Sequence, residues 1–177
     1  MVRYLALFAV ILTLIPLPAT AHGPSRQKVI ETIEINAPVE KVWMVVSNYK
    51  DMTWHPDIAK SEAMDGYEPE KTKRKLTFKT GGVITDKISA YTPDNKYLSF
   101  MTEEVDLKTM PVSGYSSYFT LTDAGGKTKV EWKGAFYRGY VNNDPPPELS
   151  DAAAIKAVTA YQKKGLEALK AKIEAAP

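Results

Sequence analysis

The sequence predicts an α+β fold: a curved antiparallel sheet of about seven strands wrapped around a long C-terminal helix, with two short helices after the first strand. Strand patterns follow one another through the middle of the chain with only short turns between them, which is typical of α+β rather than α/β proteins. A strand and a helix pattern precede this region, and a long helical pattern follows it. Such a helix needs a sheet to cover its apolar side, and the space between the two is a natural ligand pocket.

The N-terminal segment, residues 1–21, has the pattern of a secretory signal peptide. Arg3 precedes an apolar run from Leu5 to Ile15, and Ala19-Thr20-Ala21 matches a small-x-small cleavage pattern. The run is too short to cross about 30 Å of hydrocarbon, which needs about 20 residues. We therefore expect cleavage before His22 and a periplasmic protein.

Residues 22–177 have the length of a single domain, and their composition excludes several functions. The sequence has no cysteine, which excludes disulfides, thiol catalysis and thiolate metal sites. The net charge of the chain is +2, so nothing in the overall charge indicates nucleic acid as a partner. A mature N-terminus at His22 could chelate copper, but a stable site would need a further ligand such as His55. We predict no metal and no cofactor.

Two different periodicities indicate the first strand and the first helix. "QKVIETIEINA" alternates between polar and branched apolar residues, as a strand does. In "APVEKVWMVVSN", Pro38 suits the first turn of a helix, and Val39, Val42 and Val46 recur at helical spacing. The next stretch, "NYKDMTWHPDIAK", is predicted to form a second short helix or turn that closes one end of the fold.

Turn sequences divide the region from Ile58 to Tyr137 into an antiparallel meander. "TPDN" separates "GVITDKISAY" from "KYLSFMTEEV", and the strong hairpin signal "DAGGK" separates "GYSSYFTLT" from "KVEWKGAFY". A loop with three consecutive prolines follows, and Ser150 or Asp151 can cap the final helix. The apolar stripe of that helix consists of Ala154, Val158, Leu166, Leu169 and Ile173.

Five segments, spread over nearly all of residues 22–177, carry a resemblance to a known superfamily. They are "INAPVEKVWMVVSNY", the Trp-x-Pro-x-Ile spacing within "TWHPDIAK", "ISAYTPDNKYLSF", "TKVEWKGAF" and the terminal "GLEALKAKIE". In this order they resemble the SRPBCC superfamily of helix-grip domains, which includes START-like, polyketide-cyclase-like and birch-allergen-like proteins. The resemblance implies the fold but leaves ligand binding, cyclisation, hydrolysis and protein assistance open.

The chain also resembles a narrower family, the MxaD-type periplasmic proteins of methanol oxidation. This resemblance is carried by the signal peptide, the length and the general run of the sequence rather than by a chemical motif. It implies a role in assisting methanol dehydrogenase or its electron-transfer partner, a cytochrome.

His55 is the candidate for acid–base chemistry, because it is the only histidine far from a chain end. A general base needs a partner that orients the ring and a substrate within hydrogen-bond reach. No cysteine and no nucleophile-elbow pattern accompany it, and Pro56 favours an extended or turn conformation at His55. We expect His55 to be a loop residue at the rim of the grip and assign no catalytic residue.

Side chains on the predicted inner faces are candidates for lining a ligand pocket. Asp86 shares a strand face with Ile84 and Ile88, so it should point inward as a polar anchor, and some ligand-binding relatives in the superfamily place an acid there. A buried carboxylate needs a partner or water, so a structural pair with a lysine, or a bulge that turns Asp86 outward, is the alternative. The predicted pocket consists of Trp54, Ile58, Phe78, Asp86, Met101, Phe119, Trp132, Phe136 and Val158. The apolar members could equally form a filled core.

Two surface features are candidates for binding a protein partner. A basic cluster on neighbouring strands could meet an acidic partner or be a solvated outer face. It comprises Lys71, Lys73, Arg74, Lys75, Lys79 and Lys87, of which we take Lys73, Lys75 and Lys79 as contacts. The loop "YVNNDPPPEL" presents Tyr140, Pro145 and Pro146, and its prolines form an extended contact surface or position the last helix.

Three functions follow as hypotheses. The first is a non-enzymatic periplasmic accessory protein that binds methanol dehydrogenase or its cytochrome. The second is a binding protein for a small hydrophobic ligand held between sheet and helix, and the third is a cyclase or hydrolase that uses His55 or Asp86. Export, the lack of a catalytic constellation, the basic strand face and the MxaD-type resemblance favour the first.

Overall fold

The computed structural model describes residues 23–64 and 72–175, which form one seven-stranded sheet and two α-helices. The predicted signal peptide, His22 and Lys71 lie outside the described residues. The strands are β1 (Gln27–Ile35), β2 (Ile58–Ala63), β3 (Lys73–Phe78), β4 (Val83–Thr92), β5 (Tyr97–Val105), β6 (Val112–Asp123) and β7 (Thr128–Arg138). The helices are α1 (Val39–Val46) and α2 (Asp151–Glu174).

The sheet confirms the predicted α+β class and strand number. Its order is β1-β7-β6-β5-β4-β3-β2, and every neighbouring pair is antiparallel. β1 therefore closes the meander by pairing with the last strand rather than with β2. The long helix α2 packs across β1 and β7, so the sheet grips the helix as predicted.

One of the two short helices predicted after the first strand is absent, and the alternative is present: residues 48–57 form successive turns. The Asp51 carboxylate accepts hydrogen bonds from the backbone N–H of Thr53 (2.9 Å) and from its hydroxyl (2.5 Å). Such a local side-chain bond competes with a helix, and Pro56 both lacks an N–H and disfavours helical backbone at the preceding residue. The stretch is a tightly folded loop.

Local sequence signals set the remaining connections where they were expected. In the turn between β6 and β7, the Asp123 carboxylate accepts hydrogen bonds from the N–H groups of Gly125 (3.1 Å) and Gly126 (3.3 Å). Ser150 caps α2, because its hydroxyl accepts a hydrogen bond from the N–H of Ala153 at 3.2 Å. All five residues of the predicted apolar stripe on α2 are buried.

Helix α2 touches the sheet most closely at Gly165. A Cβ atom at this position would lie 2.6 Å from His55 Cδ2 and 2.6 Å from Trp132 Cζ3. Real Cβ atoms do not approach other atoms so closely, so the missing side chain is what allows both rings to reach the helix backbone. Gly165 therefore lets α2 approach the sheet closely.

Four connections meet at one end of the sheet, because antiparallel strands alternate in direction. The N–H of Lys79 donates to the carbonyl of Asp57 (2.9 Å), and the N–H of Gly139 donates to the carbonyl of Pro111 (2.8 Å). We call this region the loop end; it consists of residues 53–57, 79–82, 106–111 and 139–149. Within residues 23–64 and 72–175, neither helix has the length and apolar character needed to cross a membrane.

We predict that Gly165→Ala destabilises the protein, although alanine normally stabilises a helix interior by roughly 0.5–1 kcal/mol relative to glycine. The added methyl group would collide with the His55 and Trp132 rings, and overpacking costs about 1–3 kcal/mol. The free energy of unfolding in urea measures the effect. Ala171→Leu, an enlargement at an exposed position of the same helix, should change it by less than about 0.5 kcal/mol. A more stable Gly165→Ala protein would contradict the close packing.

Candidate functional site

Aromatic rings fill the space between the sheet and α2. The rings of Phe119 and Trp132 lie 4.5 Å apart, and the Trp132 ring lies 5.3 Å from that of Tyr161 on the helix. Trp54, from the loop after α1, places its ring edge-on 6.3 Å from Trp132. Because these rings touch across the grip, its centre is a packed core.

Eight of the nine predicted pocket residues contribute to this interior. They are Trp54, Ile58, Phe78, Asp86, Phe119, Trp132, Phe136 and Val158. Met101 does not, since its side chain is 49 % exposed on the outer face of the sheet. The physical reason is strand alternation, because Met101 follows the buried Phe100 and must point to the opposite face. A ligand-lining role for the other eight remains a prediction.

His55 is fully buried, so its expected place at the rim of the grip is wrong. Its ring stacks on the Tyr161 ring at 4.1 Å and meets the Trp132 ring edge-on at 6.3 Å. Burial, partly offset by the bond to the Tyr161 backbone, lowers the pKa of His55 from 6.5 to about 4. The imidazole is therefore neutral at physiological pH.

Both ring nitrogens of His55 have backbone partners. The N–H of Asp57 donates to Nδ1 at 3.1 Å, which leaves the proton on Nε2. Nε2 then donates to the carbonyl of Tyr161 at 2.9 Å, in the middle of α2. A histidine with both nitrogens engaged in this way positions a loop on a helix and has no nitrogen left for a substrate proton.

Asp86 points inward, as the pattern of its strand indicates, and its partner is an arginine rather than a lysine. Its Oδ2 lies 3.0 Å from a terminal nitrogen of Arg74, and its Oδ1 accepts a hydrogen bond from the Thr102 hydroxyl at 2.8 Å. Arg74 also donates to the carbonyl of Tyr49 at 2.9 Å. The Asp86 carboxylate is thus neutralised inside the protein, and its role as a ligand anchor stays a prediction.

The expected place of Arg74 in a surface cluster is also wrong. Its guanidinium is buried against the rings of Tyr49 (4.1 Å) and Phe100 (4.8 Å). The available signal was alternation, because Arg74 lies two residues before the inward-facing Leu76. Within the described part of the chain, Arg74 Nε and the Tyr49 hydroxyl are the two buried side-chain atoms without a hydrogen-bond partner.

The buried tyrosines also have pKa values that are too high for acid–base catalysis at neutral pH. Burial raises the pKa of Tyr115 to about 12 and moves the pKa values of Tyr49 and Tyr161 upward as well. A general acid or base works best when its pKa is near the operating pH. His55 and these tyrosines are therefore uncharged at neutral pH.

The predicted basic cluster is divided by the fold. Lys73 forms an ion pair with Glu103 at 2.7 Å on the outer face, and the exposed Lys75 lies opposite Glu62 on the edge strand. Lys79 leaves this face and lies in the turn after β3, at the loop end. The outer face therefore has mixed charge, because the neighbouring strands supply carboxylates. The charge pattern of β3 alone does not reveal them.

The proline loop is held in place by Arg138. The Arg138 guanidinium donates to the carbonyls of Tyr140 (2.8 Å) and Asn142 (2.9 Å) and to the Asp151 carboxylate (3.0 Å). Tyr140, Pro145 and Pro146 are all partly buried. The loop is thus a shaped part of the loop end rather than an extended linker.

Residues 26–174 match the family described as "Polyketide cyclase / dehydrase and lipid transport", and the chain belongs to this family. The predicted membership of the SRPBCC superfamily is thereby confirmed. The family description covers both enzymes and transport proteins, so membership leaves open whether this chain is an enzyme. No curated protein sequence matches the chain significantly.

Solved structures share the fold at low sequence identity. The protein XoxI from Bacillus cereus is 22% identical with a TM-score of 0.70, covering 84% of this chain and 96% of its own. The ZhuI aromatase/cyclase from Streptomyces sp. R1128 is 16% identical with a TM-score of 0.67, covering 85% and 94%. Norcoclaurine synthase from Thalictrum flavum, bound to dopamine and hydroxybenzaldehyde, is 13% identical with a TM-score of 0.64, covering 88% and 90%. These likenesses show the fold alone.

We predict that His55 makes stability depend on pH between about 6.5 and 4. In this range the unfolded chain protonates His55 while the folded protein, with a pKa of about 4, does not. The contribution of His55 to the free energy of unfolding is therefore complete above pH 6.5. It decreases on acidification by about 1.4 kcal/mol per pH unit, and the total loss is about 3 kcal/mol.

Urea unfolding of the wild type and of His55→Gln at several pH values measures this dependence. The variant starts from a lower stability because it loses the contacts of the ring, but it should lack this part of the slope. Equal slopes for the two proteins would show that His55 titrates as an exposed residue does.

We also predict that Arg74→Met costs about 3–5 kcal/mol of stability, because it leaves the Asp86 carboxylate buried without its partner. The double variant Arg74→Met with Asp86→Leu removes both charges and should recover most of that loss. Urea unfolding of the wild type and the two variants is the measurement. A double variant no more stable than Arg74→Met would contradict the buried-pair account.

Proposed function

We propose that this protein is an exported, non-enzymatic accessory protein that binds a redox protein of methanol oxidation, either methanol dehydrogenase or its cytochrome. One observation carries the non-enzymatic part: the grip is filled by aromatic side chains, and its polar groups are engaged with one another or with backbone. The His55 nitrogens, for example, both have backbone partners. Such a protein acts through its surface.

Export and the class of partner have separate support. The pattern of residues 1–21 is that of a secretory signal peptide, which would place the protein in the periplasm. The MxaD-type resemblance of the whole chain supports methanol oxidation as the process. The similarity in fold to XoxI is compatible with this proposal, and the similarity to a cyclase and a synthase shows that other SRPBCC folds do perform catalysis.

The loop end is the surface that we propose for the partner. It contains a groove of about 480 Å³ whose apolar walls include Leu107, Pro111 and Leu149. Val141, in the neighbouring proline loop, is a large apolar side chain with 58 % exposure. Lys108 and Glu148 also line the groove and carry opposite charges. Apolar walls edged by both charges suit a partner surface with an apolar centre and a polar rim.

Two alternatives stay open as proposals. A carrier for a small hydrophobic ligand is supported by the lipid-transport part of the family description, although the packed rings leave little room between sheet and α2. A cyclase or hydrolase is supported by the enzymes that share the fold, although the pKa of His55 is about 4 and both of its ring nitrogens have backbone partners.

We predict that crosslinking in the periplasm of the native host captures methanol dehydrogenase or its cytochrome. Lys79→Glu and Lys108→Glu, both at the loop end, should weaken association about threefold to tenfold at low salt, because electrostatic attraction speeds encounter. Lys129→Glu reverses an exposed lysine at the opposite end of the sheet and should have little effect. Lys75→Glu tests the outer sheet face in the same assay.

Recovery of neither protein, or retention of the chain in the cytoplasm, would contradict the proposed role. A loss of binding with Lys75→Glu but not with the loop-end variants would move the contact to the outer face of the sheet.

A further inference from the structure

The first strand of the sheet has a free edge. β1 stands at one end of the strand order and pairs only with β7. In an antiparallel ladder, the backbone N–H and C=O groups of successive residues point alternately to the two sides of a strand. The Glu34 carbonyl accepts from the Lys170 ammonium of α2 at 2.6 Å, so the backbone of Glu34 points away from β7. By alternation, the backbone groups of Lys28, Ile30 and Thr32 also point to the free edge.

Helix α2 closes one part of this edge and leaves the rest open. Beyond Glu34, the Glu174 carboxylate of the helix accepts from the N–H of Asn36 at 2.7 Å. The edge-facing groups of Ile30 and Thr32 have no hydrogen-bond partner among the residues that the structure describes. Unpaired backbone groups on an edge strand are a template for pairing with another chain. The edge is therefore available to another chain only before Glu34.

A groove of about 250 Å³ lies beside the open stretch, between β1 and α2. Its apolar walls include Ile33 of the strand and Leu166 of the helix. Its charged lining consists of Glu31, Lys163 and Glu167. The groove thus combines apolar surface with two carboxylates and one ammonium, which leaves an excess of negative charge.

We propose that the edge of β1 binds an extended segment of another protein as an additional antiparallel strand. The backbone of this segment exchanges hydrogen bonds with Ile30 and Thr32, as in other cases of β-strand addition. Directly opposed residues share a face of the sheet. The residue opposite Glu31 therefore enters the groove, and the residue opposite Ile30 packs on a side chain that is 53 % exposed. The excess carboxylate favours a basic residue opposite Glu31, with β-branched residues beside it.

A separate strand fits this edge better than a second copy of the chain does. Helix α2 runs along β1, from Asp151 beside Gln27 to Glu174 beside Asn36. Two copies joined through β1 would place these strands about 4.8 Å apart, whereas packed helix axes need about 8–10 Å. A segment that carries no such helix avoids this crowding. The site goes beyond the proposed accessory function and does not depend on it.

Titration of the mature protein with the capped peptide acetyl-Val-Thr-Lys-Val-Thr-Glu-amide, followed by ¹H–¹⁵N NMR, tests the proposal. In the antiparallel register the lysine lies opposite Glu31 and the second valine lies opposite Ile30. We expect saturable shifts in residues 28–33 and 163–167, and slower hydrogen exchange of the Ile30 and Thr32 amides. No saturation by about 10 mM peptide (ten times a millimolar dissociation constant), or slower exchange that does not single out these two amides, would overturn the proposal.

Two N-methylated peptides distinguish strand addition from non-specific binding to the unchanged protein. Methyl groups on the second and fourth residues block the N–H groups that donate to Thr32 and Ile30, and should weaken binding about tenfold or more. Methyl groups on the third and fifth residues replace N–H groups that point to solvent, so the affinity should stay within about twofold. Equal affinities of the two peptides would refute the backbone pairing.

Charge reversal locates the contact on β1. Glu31→Lys should weaken binding of the lysine peptide about twofold to fivefold, and a peptide with glutamate in place of lysine should restore it. Glu104→Lys reverses an exposed carboxylate of β5, away from this edge, and should leave the affinity unchanged. An equal effect of the two variants would contradict the proposed location.

Sedimentation of the protein without peptide tests the other occupant. We expect a monomer whose Ile30 and Thr32 amides exchange rapidly. A dimer in which these amides are already protected would assign the edge to a second copy and overturn the proposal. Because no redox protein enters these measurements, their outcome is independent of the crosslinking result.

Discussion

The structure depends on the hydrogen bond that the buried His55 ring makes to the carbonyl of Tyr161 in the middle of α2. That bond is possible because Gly165, one turn further along the helix, has no side chain to exclude the ring. His55 thereby joins the loop after α1 to the helix, while Trp132 occupies the other side of the same gap. The contacts of the His55 ring therefore position the loop, the helix and the sheet relative to one another. A larger residue at position 165 would collide with the ring, and a charged imidazole would be unfavourable in this buried place, so either change would separate them.

A filled grip changes what this fold can do. Related folds include a cyclase and a synthase, and catalysis requires space and titratable groups near neutral pH. Here aromatic rings occupy the space, and the buried charges of Arg74 and Asp86 are paired with each other. An apolar groove beside the proline loop, at the loop end, is among the features that remain available to other molecules.

The parts of the site that could be read from the sequence are those governed by strand alternation. Trp132 and Phe136 point at the helix, and Asp86 points inward, as their patterns indicate. Consistent use of the same rule would also have placed Arg74 inside, because it lies two residues before the buried Leu76. It would have placed Met101 outside, because it directly follows the buried Phe100. Lys79 could not be placed in this way, because it lies just beyond the strand, where a turn replaces the alternation.

The sequence by itself determined the class of fold, the seven strands, the hairpin at Asp123 and the capped helix that starts after Ser150, because these depend on periodicity and local hydrogen bonds. Only the tertiary structure decided that His55 is buried and that the grip is filled, because both depend on how closely α2 approaches the sheet. It also decided that the predicted basic cluster divides into a mixed-charge sheet face and a lysine at the loop end. Those outcomes depend on which strands become neighbours, and pairings over such sequence distances leave no local signal.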